Sequence, residues 1–558
     1  MTPPHTLATA DSVLKSAGKA TRRTSGRSIE SLLEKRWARL LIPSLADLFF
    51  LALLVWLFAS SGSGGEGLLG DADAGWHIRT GEYILDHHAV PYQDLYSFSK
   101  AGQPWFAWEW LADVIDALVH RAAGLKGVIL LAAVMITAFG TLLIRRMAYR
   151  GTHLFIALAV ALLGMGAASI HFLARPHVFT LLLLAISMWI IEADRLHPTR
   201  RVWWLVPITM VWTNLHGGFL SLIAVLGLTA IGTAAEVWLG NGRTIRDAVR
   251  YLKLTIACGL ATLVNPYGWN LHKHVIEYLR SDWIKNVVQE FQSPAFRNEN
   301  MMQFEGLLLV GLIVAGTLFR RRQISEGLWI VFWAHMSLAS VRHVPIFVTV
   351  TTPVLAAQLS DWWKQWSAAD KKNSLTGILN QMAADSLSGF RRMSILPWAV
   401  VAGLILVGPA MKWPKDFPDA IFPTRLVHEH ADLIARSRVF TTDQWGDYLI
   451  YTNPALKVFV DGRSDFYGPE IGNQYLQISG GDWRWKPLME QYQFDLVLMP
   501  VTSAIVQLLK LDPEWSIADS DADGKRILLV RNKVIANPLV LNPLQNQPPV
   551  DLALSRKP

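Results

Sequence analysis

Long apolar runs separated by basic turns recur along most of this chain, too many for the core of one soluble domain. They lie at 45–60, 128–144, 153–170, 178–191, 202–212, 220–239, 254–264, 306–319, 327–338, 346–359 and 395–411. A helix needs ~20 apolar residues to cross a bilayer, so the shorter runs either borrow from their flanks or are broken. The pattern predicts a mostly α protein, a polytopic transmembrane helical bundle of about 11 spans. Composition agrees: of 558 residues 52% are hydrophobic and 17% charged, against ~25% charged in soluble domains.

Lys and Arg set the orientation. If the first span leaves the cytoplasm, one side carries Lys35, Arg36 and Arg39, then Arg145, Arg146 and Arg150, then Arg195, Arg200 and Arg201. The same side holds Arg243, Arg246, Arg250 and Lys253, Arg320–Arg322, and Lys364, Lys371, Lys372, Arg391 and Arg392. Read as positive-inside anchors, these explain the net charge of +8 without nucleic acid. The expected location is a bacterial cell (inner) membrane, multi-pass, with the N-terminus cytoplasmic and the C-terminal part extracytoplasmic. Residues 1–42 read as a disordered basic cytoplasmic tail without a signal-peptide core. The transmembrane part is 43–411, with extracytoplasmic loops 62–124 and 265–305.

Residues 412–535 read as a small extracytoplasmic α/β domain, followed by a tail at 536–558. Short β-type runs occur at 437–441, 457–460 and 496–499, with a hairpin from 515–518 to 526–531. Helical spacing occurs at 443–451 and 485–493. Asp519, Asp521, Asp523 and Gly524 imitate a calcium loop, but Val530 stands where its last carboxylate belongs, so a polar hairpin turn is the better reading. Asp461-Gly462-Arg463-Ser464-Asp465 closes a strand end or touches substrate. Cys258, the sole cysteine, excludes an intrachain disulfide framework and a cysteine zinc site.

The first outer loop carries Asp71-Ala72-Asp73 ahead of a helix whose apolar face includes Trp76, Tyr83 and Ile84. A carboxylate there either caps the helix or accepts a proton from a hydroxyl nucleophile. A second helix is expected over 105–120, lying along the interface. Its acidic residues Asp113 and Asp116 face solvent in this reading, and Glu109 sits among Trp105, Trp108 and Trp110. Those rings serve as an interfacial belt or as a platform for sugar or isoprenoid.

Later spans end on the same side with Arg175-Pro176-His177, Asn214-Leu215-His216, Asn265-Pro266-Tyr267 leading to His272 and His274, Gln289-Glu290-Phe291, and Arg342-His343. Ionisable groups at membrane depth are costly and usually face an internal cavity. Arg175, Arg342 and His343 offer charge and donors to a phosphate. His177, His216, His272 and Glu109 complete the candidate substrate-binding set, and Asp73 then Asp71 are the candidate catalytic carboxylates. Together they suit a lipid-phosphate substrate reacting at the outer surface. No HExxH helix is present, which argues against zinc.

The acidic pair after the first span, with two amphipathic helices in the first outer loop, resembles the GT-C superfamily of integral membrane glycosyltransferases. Within it the chain is similar to RgtA/B/C/D-like and lipid A aminoarabinose transferase-like members. The resemblance covers about residues 45–411. It implies an inverting hexosyl or pentosyl transfer from a polyprenyl-phosphate sugar donor to a glycan, lipid or protein acceptor, among membrane lipids and with no nucleic acid. It places the catalytic or metal-binding carboxylate at Asp73 first and Asp71 second, and leaves a divalent metal ion open as the sole cofactor. Two other readings stay open: an O-antigen-ligase-like transferase using a lipid-diphosphate donor, and a non-catalytic or transport protein for lipid-linked saccharides.

Overall fold

The computed structural model describes residues 40–60, 63–387, 390, 392–406 and 413–536, so the two expected tails lie almost entirely outside the described residues. Each of the eleven apolar runs falls, over its described residues, largely on helix. Six helices are long and apolar enough to cross a membrane: Trp110–Tyr149, Leu154–His171, His177–Leu196, Gly217–Trp238, Glu299–Arg320 and Val341–Trp366. Two shorter apolar helices are Leu45–Ser60 and Leu396–Leu406. The expected eleven spans are therefore not reached among the described residues. Leu205–Thr213, for example, has 9 residues; at 1.5 Å per residue that is roughly half of a ~30 Å hydrocarbon core. The chain is a multi-pass membrane protein.

The helix expected over 105–120 starts instead at Trp110 and, past a non-helical kink at Gly124 (φ 62°, ψ −159°), is followed by a second helical stretch that ends at Tyr149. Its start is pinned by the turn after Leu205–Thr213: the Leu111 N–H donates to the Asn214 carbonyl at 3.1 Å, and Trp110 Nε1–H to Asn214 Oδ1 at 2.8 Å. The helix Asp73–His87 packs across its first turns. Gly81 permits the contact, since a Cβ there would lie 1.9 Å from the Asp113 carbonyl oxygen. The acidic face read as solvated is consequently buried, with Asp113 at 0% and Asp116 at 6% exposure.

Several arginines read as surface anchors pair inside the bundle. Arg146 Nη2 lies 2.7 Å from Glu192 Oε1, which also meets Arg150 Nη2 at 3.2 Å. Arg195 pairs with Glu236 at 3.1 Å and Arg250 with Asp194 at 2.8 Å. Each pair joins different helices, so this end of the bundle is laced by ion pairs.

Toward the C-terminus a four-stranded sheet forms from β1 (Val439–Thr441), β2 (Leu496–Pro500), β3 (Trp515–Ser520) and β4 (Arg526–Arg531), in the order β1-β2-β4-β3. β1 and β2 are parallel and the other pairs antiparallel. The run at 457–460 is not a strand; it makes one isolated bridge, Ser97↔Val458, to the first loop. Helices Asp443–Thr452, Ser464–Ser479, Trp485–Tyr492 and Ala504–Leu511 surround the sheet. One continuous cluster of buried apolar residues joins this sheet to the loop helices and the spans. The turn after β3 is held by arginines, Arg425 with Asp519 at 3.0 Å and Arg526 with Asp521 at 2.6 Å. The 461–465 turn closes on itself and on the first loop: Arg463 pairs with Asp461 at 2.6 Å and Asp94 at 2.9 Å.

Candidate active site at the ends of the spans

Asp71 and Asp73 both bind Arg175, and Asp71 also meets the backbone at the helix start. The Asp71 carboxylate accepts the Asp73 N–H at 3.0 Å, satisfying an otherwise unpaired donor at the helix start. Asp73 is the first helical residue. Its Oδ2 lies 2.6 Å from Arg175 Nη2, while Arg175 Nη1 meets Asp71 Oδ2 at 2.6 Å and Glu290 Oε1 at 3.2 Å. Arg175 comes from the turn between two spans and gathers three carboxylates from two segments.

The other oxygen of Asp73 faces Asp447, on the helix Asp443–Thr452. Asp73 Oδ1 and Asp447 Oδ2 are both buried without a hydrogen-bond partner, and the Gly462 N–H donates to Asp447 Oδ1 at 2.9 Å. A Cβ on Gly462 would sit 2.1 Å from Asp73 Oδ1 and 2.8 Å from Asp447 Oδ2, so only glycine fits against the pair. Burial pushes Asp73 up to about 7 against the pull of Arg175. Burial and the Asp73 charge raise Asp447 well above the carboxylate range. Two buried carboxyls in contact share a proton, because both cannot be ionised cheaply.

A cavity of about 450 Å³ opens beside this group. Neither Asp71 nor Asp73 lines it; its carboxylates are Glu109 and Glu290. Arg175, His177, His216, Arg342 and His343 line it as well, bringing six of the nine expected site residues together with Glu109. Leu181, Leu220, Ala224, Phe332 and Ile346 make part of its wall apolar. His272 lies elsewhere, bonded to Thr262 at 2.7 Å and stacked on Trp269. The ring of His177 is bonded to the His171 carbonyl, and His343 Nδ1 lies 3.1 Å from the Met336 carbonyl. Arg342 lies 4.4 Å over the Phe291 ring, and its Nη1 is buried without a hydrogen-bond partner. Arg175 is neutralised by its carboxylates, whereas Arg342 keeps its Nη1 donor to give. Burial raises Glu290, but Arg175 outweighs it and holds this carboxylate well below the usual range.

Glu109 stands between two imidazoles. His216 Nε2 is 3.5 Å from Oε1 and His77 Nε2 is 3.5 Å from Oε2. Burial pushes Glu109 up to about 8 against the pull of Arg175. The same burial, with Arg342 and Arg175 nearby, lowers His216 to about 3. Burial and Arg175 also lower His77 well below its usual value. Both rings are therefore neutral at physiological pH.

Sequence reasoning placed Glu109 in the site but missed His77, Asp113 and Asp447. His77 reads as one polar residue in an amphipathic helix, and Asp447 lies far along the chain; no local signal marks either. A divalent ion does not fit at Asp71 and Asp73, because the Arg175 guanidinium already bridges them. Glu429, His430 and Asp519 lie close enough together to hold a metal, but Arg425 lies 3.0 Å from Asp519 and supplies the countercharge.

No protein-family model and no curated protein matches the chain. Among solved structures, the archaeal oligosaccharyltransferase AglB from Archaeoglobus fulgidus, in complex with an inhibitory peptide and a dolichol-phosphate, superposes with TM-score 0.52. The match covers 84% of this chain and 70% of that one at 11% identity. The apo oligosaccharyltransferase of the same organism gives 0.47 over 81% and 70%, at 11% identity. The arabinofuranosyltransferase AftD from Mycobacteria gives 0.44 over 87% and 40%, at 15% identity. The first of these likenesses shows the fold alone: this chain folds like that archaeal oligosaccharyltransferase over most of its length.

Proposed function

We propose that this chain transfers a sugar from a polyprenyl-phosphate-linked donor to a glycan, lipid or protein acceptor on the extracytoplasmic face of a bacterial cell membrane. The observation that carries the reading is a part-apolar cavity at the span ends holding both the buried, unpartnered Nη1 of Arg342 and the Glu109 carboxyl. The apolar wall suits an isoprenoid. Arg342 binds the phosphate charge, and Glu109 reacts in its ionised form as the base, its raised proton affinity favouring the transfer. The acceptor oxygen attacks the anomeric carbon, the bond to phosphate breaks with its electron pair on the phosphate, and the acceptor proton passes to Glu109. Inversion follows from the single displacement. Asp71 and Asp73, expected as the reacting pair, hold Arg175 in place in this scheme.

One guanidinium with a free Nη1 donor favours a monophosphate-linked donor over the lipid diphosphate of an O-antigen-ligase-like enzyme. The polar set at the span ends, away from the middle of the spans, favours transfer over transport.

The test measures binding of undecaprenyl phosphate to the full-length protein in detergent by native mass spectrometry. Arg342→Gln is expected to weaken binding at least tenfold while Glu109→Gln leaves it intact. In proteoliposomes with undecaprenyl-phosphate-linked glucose, mannose or aminoarabinose and extracted envelope glycolipid, Glu109→Gln is expected to lower product by ~100-fold or more, the range for losing a general base. Equal binding by wild type and Arg342→Gln, or unchanged product from Glu109→Gln, overturns the reading.

A further inference from the structure

The helix His177–Leu196 runs between two cavities. Its first residue lines the one that holds Glu109, and its far end lines a second, ~30 Å along the helix axis. The second has a volume of about 380 Å³ and lies where the helix ending at Tyr149 meets the end of His177–Leu196, among the basic turns. Ile186, Trp189 and Ile190, all half-buried, form its apolar part. Arg145 lies over the Trp189 ring at 5.1 Å and steadies it. His197, Thr199 and Arg201, past the end of the helix, form a polar rim. The apolar part thus lies within the span and the polar part just beyond it. Trp203 and Trp204 follow at once, 40% and 66% exposed, and mark the headgroup level, where exposed tryptophans gather.

The charges at the rim are not balanced by the protein. Asp194, the carboxylate in the lining, is fully engaged: Arg250 meets it at 3.0 and 2.8 Å, and the Tyr251 hydroxyl and the Thr199 N–H donate to it at 3.0 and 2.8 Å. Arg201 is exposed, and its guanidinium has neither ion pair nor hydrogen bond among the described residues. Both helices end here, where their dipoles are negative and disfavour an anion. Any anion at this rim is therefore held by side-chain charge, and Arg201 supplies it.

We propose that this pocket binds an anionic phospholipid, with its phosphate at Arg201 and an acyl chain along Ile186, Trp189 and Ile190. The guanidinium fork can hold two phosphate oxygens together, and basic pockets between spans take lipid headgroups. A free phosphate would use the rim alone and leave the apolar groove wet, whereas a lipid fills both. The site is separate from the cavity that holds Glu109 and Arg342, and does not depend on the transferase reading.

The test uses the full-length protein in detergent, exchanged with phosphatidylglycerol and phosphatidylcholine of the same acyl chains, and follows retained lipid by native mass spectrometry. Wild type is expected to keep phosphatidylglycerol in preference. Arg201→Gln is expected to lower that retention about fivefold, the effect of one basic side chain at the headgroup level. Ala193→Leu fills the groove while keeping Arg201, and is expected to lower it as well; Ala193→Val takes its place if the leucine variant does not accumulate. Arg320→Gln, at a span end outside the pocket, and Arg342→Gln, in the other cavity, are expected to leave it unchanged. Equal retention of both lipids by wild type, or equal loss from Arg201→Gln and Arg320→Gln, reads as general surface charge and overturns the site. Loss in Arg342→Gln places the lipid in the other cavity, and unchanged retention with the groove filled removes the acyl chain from it; either overturns the proposal. Displacement of the lipid by excess glycerol 3-phosphate makes the occupant a free phosphate and overturns it too.

Discussion

Asp71 Oδ1 accepts the Asp73 N–H at 3.0 Å, so the first N–H of the helix that carries His77 is satisfied by the first acidic residue, two positions upstream. Asp71→Asn keeps an acceptor in place and is expected to retain this bond. Asp71→Ala removes it at a cost of about 0.5–1.5 kcal/mol, and also frees one donor of Arg175. Thermal unfolding in detergent is expected to rank wild type and Asp71→Asn together above Asp71→Ala. Equal melting of all three rejects a contribution from this bond.

Asp447→Asn is expected to stabilise the protein at pH 8. The folded values of Asp73 and Asp447 are both raised above the unfolded carboxylate range. The folded state therefore binds protons more tightly, and stability falls as pH rises from about 4 to about 7 and beyond. Asparagine keeps an acceptor for the Gly462 N–H and offers an N–H to Asp73 Oδ1, with no second charge to bury. The melting temperature of Asp447→Asn should lie above wild type at pH 8 and approach it at pH 5. A lower melting temperature at pH 8 contradicts the shared proton.

These contacts mark where sequence reading stopped. The eleven apolar runs were legible because burial in lipid leaves a composition signal, and the span-end clusters because charges at that depth are scarce. The partner of a polar group leaves no such signal. Asp113 and Asp116 have the spacing of a solvated face, yet Gly81 lets another helix cover them. Arg175 and Arg342 look alike in sequence, whereas three carboxylates occupy the first and leave the second with a free donor. Asp447 meets Asp73 only because the C-terminal helices pack on the first loop.

Gly81→Ala is expected to disable the site without touching a polar group. The added methyl would lie 1.9 Å from the Asp113 carbonyl oxygen and 2.7 Å from Ala117 Cβ. The helices must separate, at a typical overpacking cost of about 1–3 kcal/mol, and His77 moves from Asp113. Reduced melting temperature together with lost Glu109→Gln-sensitive product is the expected result. Wild-type values in both would mean that the helices are not in contact.

The ion pairs at the basic end set the last expectation. Arg146 is fully buried, its guanidinium shared between Glu192 and the Thr349 carbonyl at 2.5 Å. Glu192→Gln leaves that charge, and part of Arg150, without a counterion, and breaking a buried pair in this way costs about 3–5 kcal/mol. The exposed Arg320 lies in the same class by sequence, as a basic residue at a span end. Arg320→Ala should change stability by no more than about 0.5 kcal/mol, as surface substitutions do. Replacing both buried partners, Arg146→Met with Glu192→Met, removes the unpaired charge and should recover much of the loss, because apolar groups of similar volume can replace a buried pair at little cost. Unfolding of the four proteins in the same detergent separates the cases. If Glu192→Gln and Arg320→Ala melt alike, the arginines act as surface anchors and the network at this end contributes nothing to the fold.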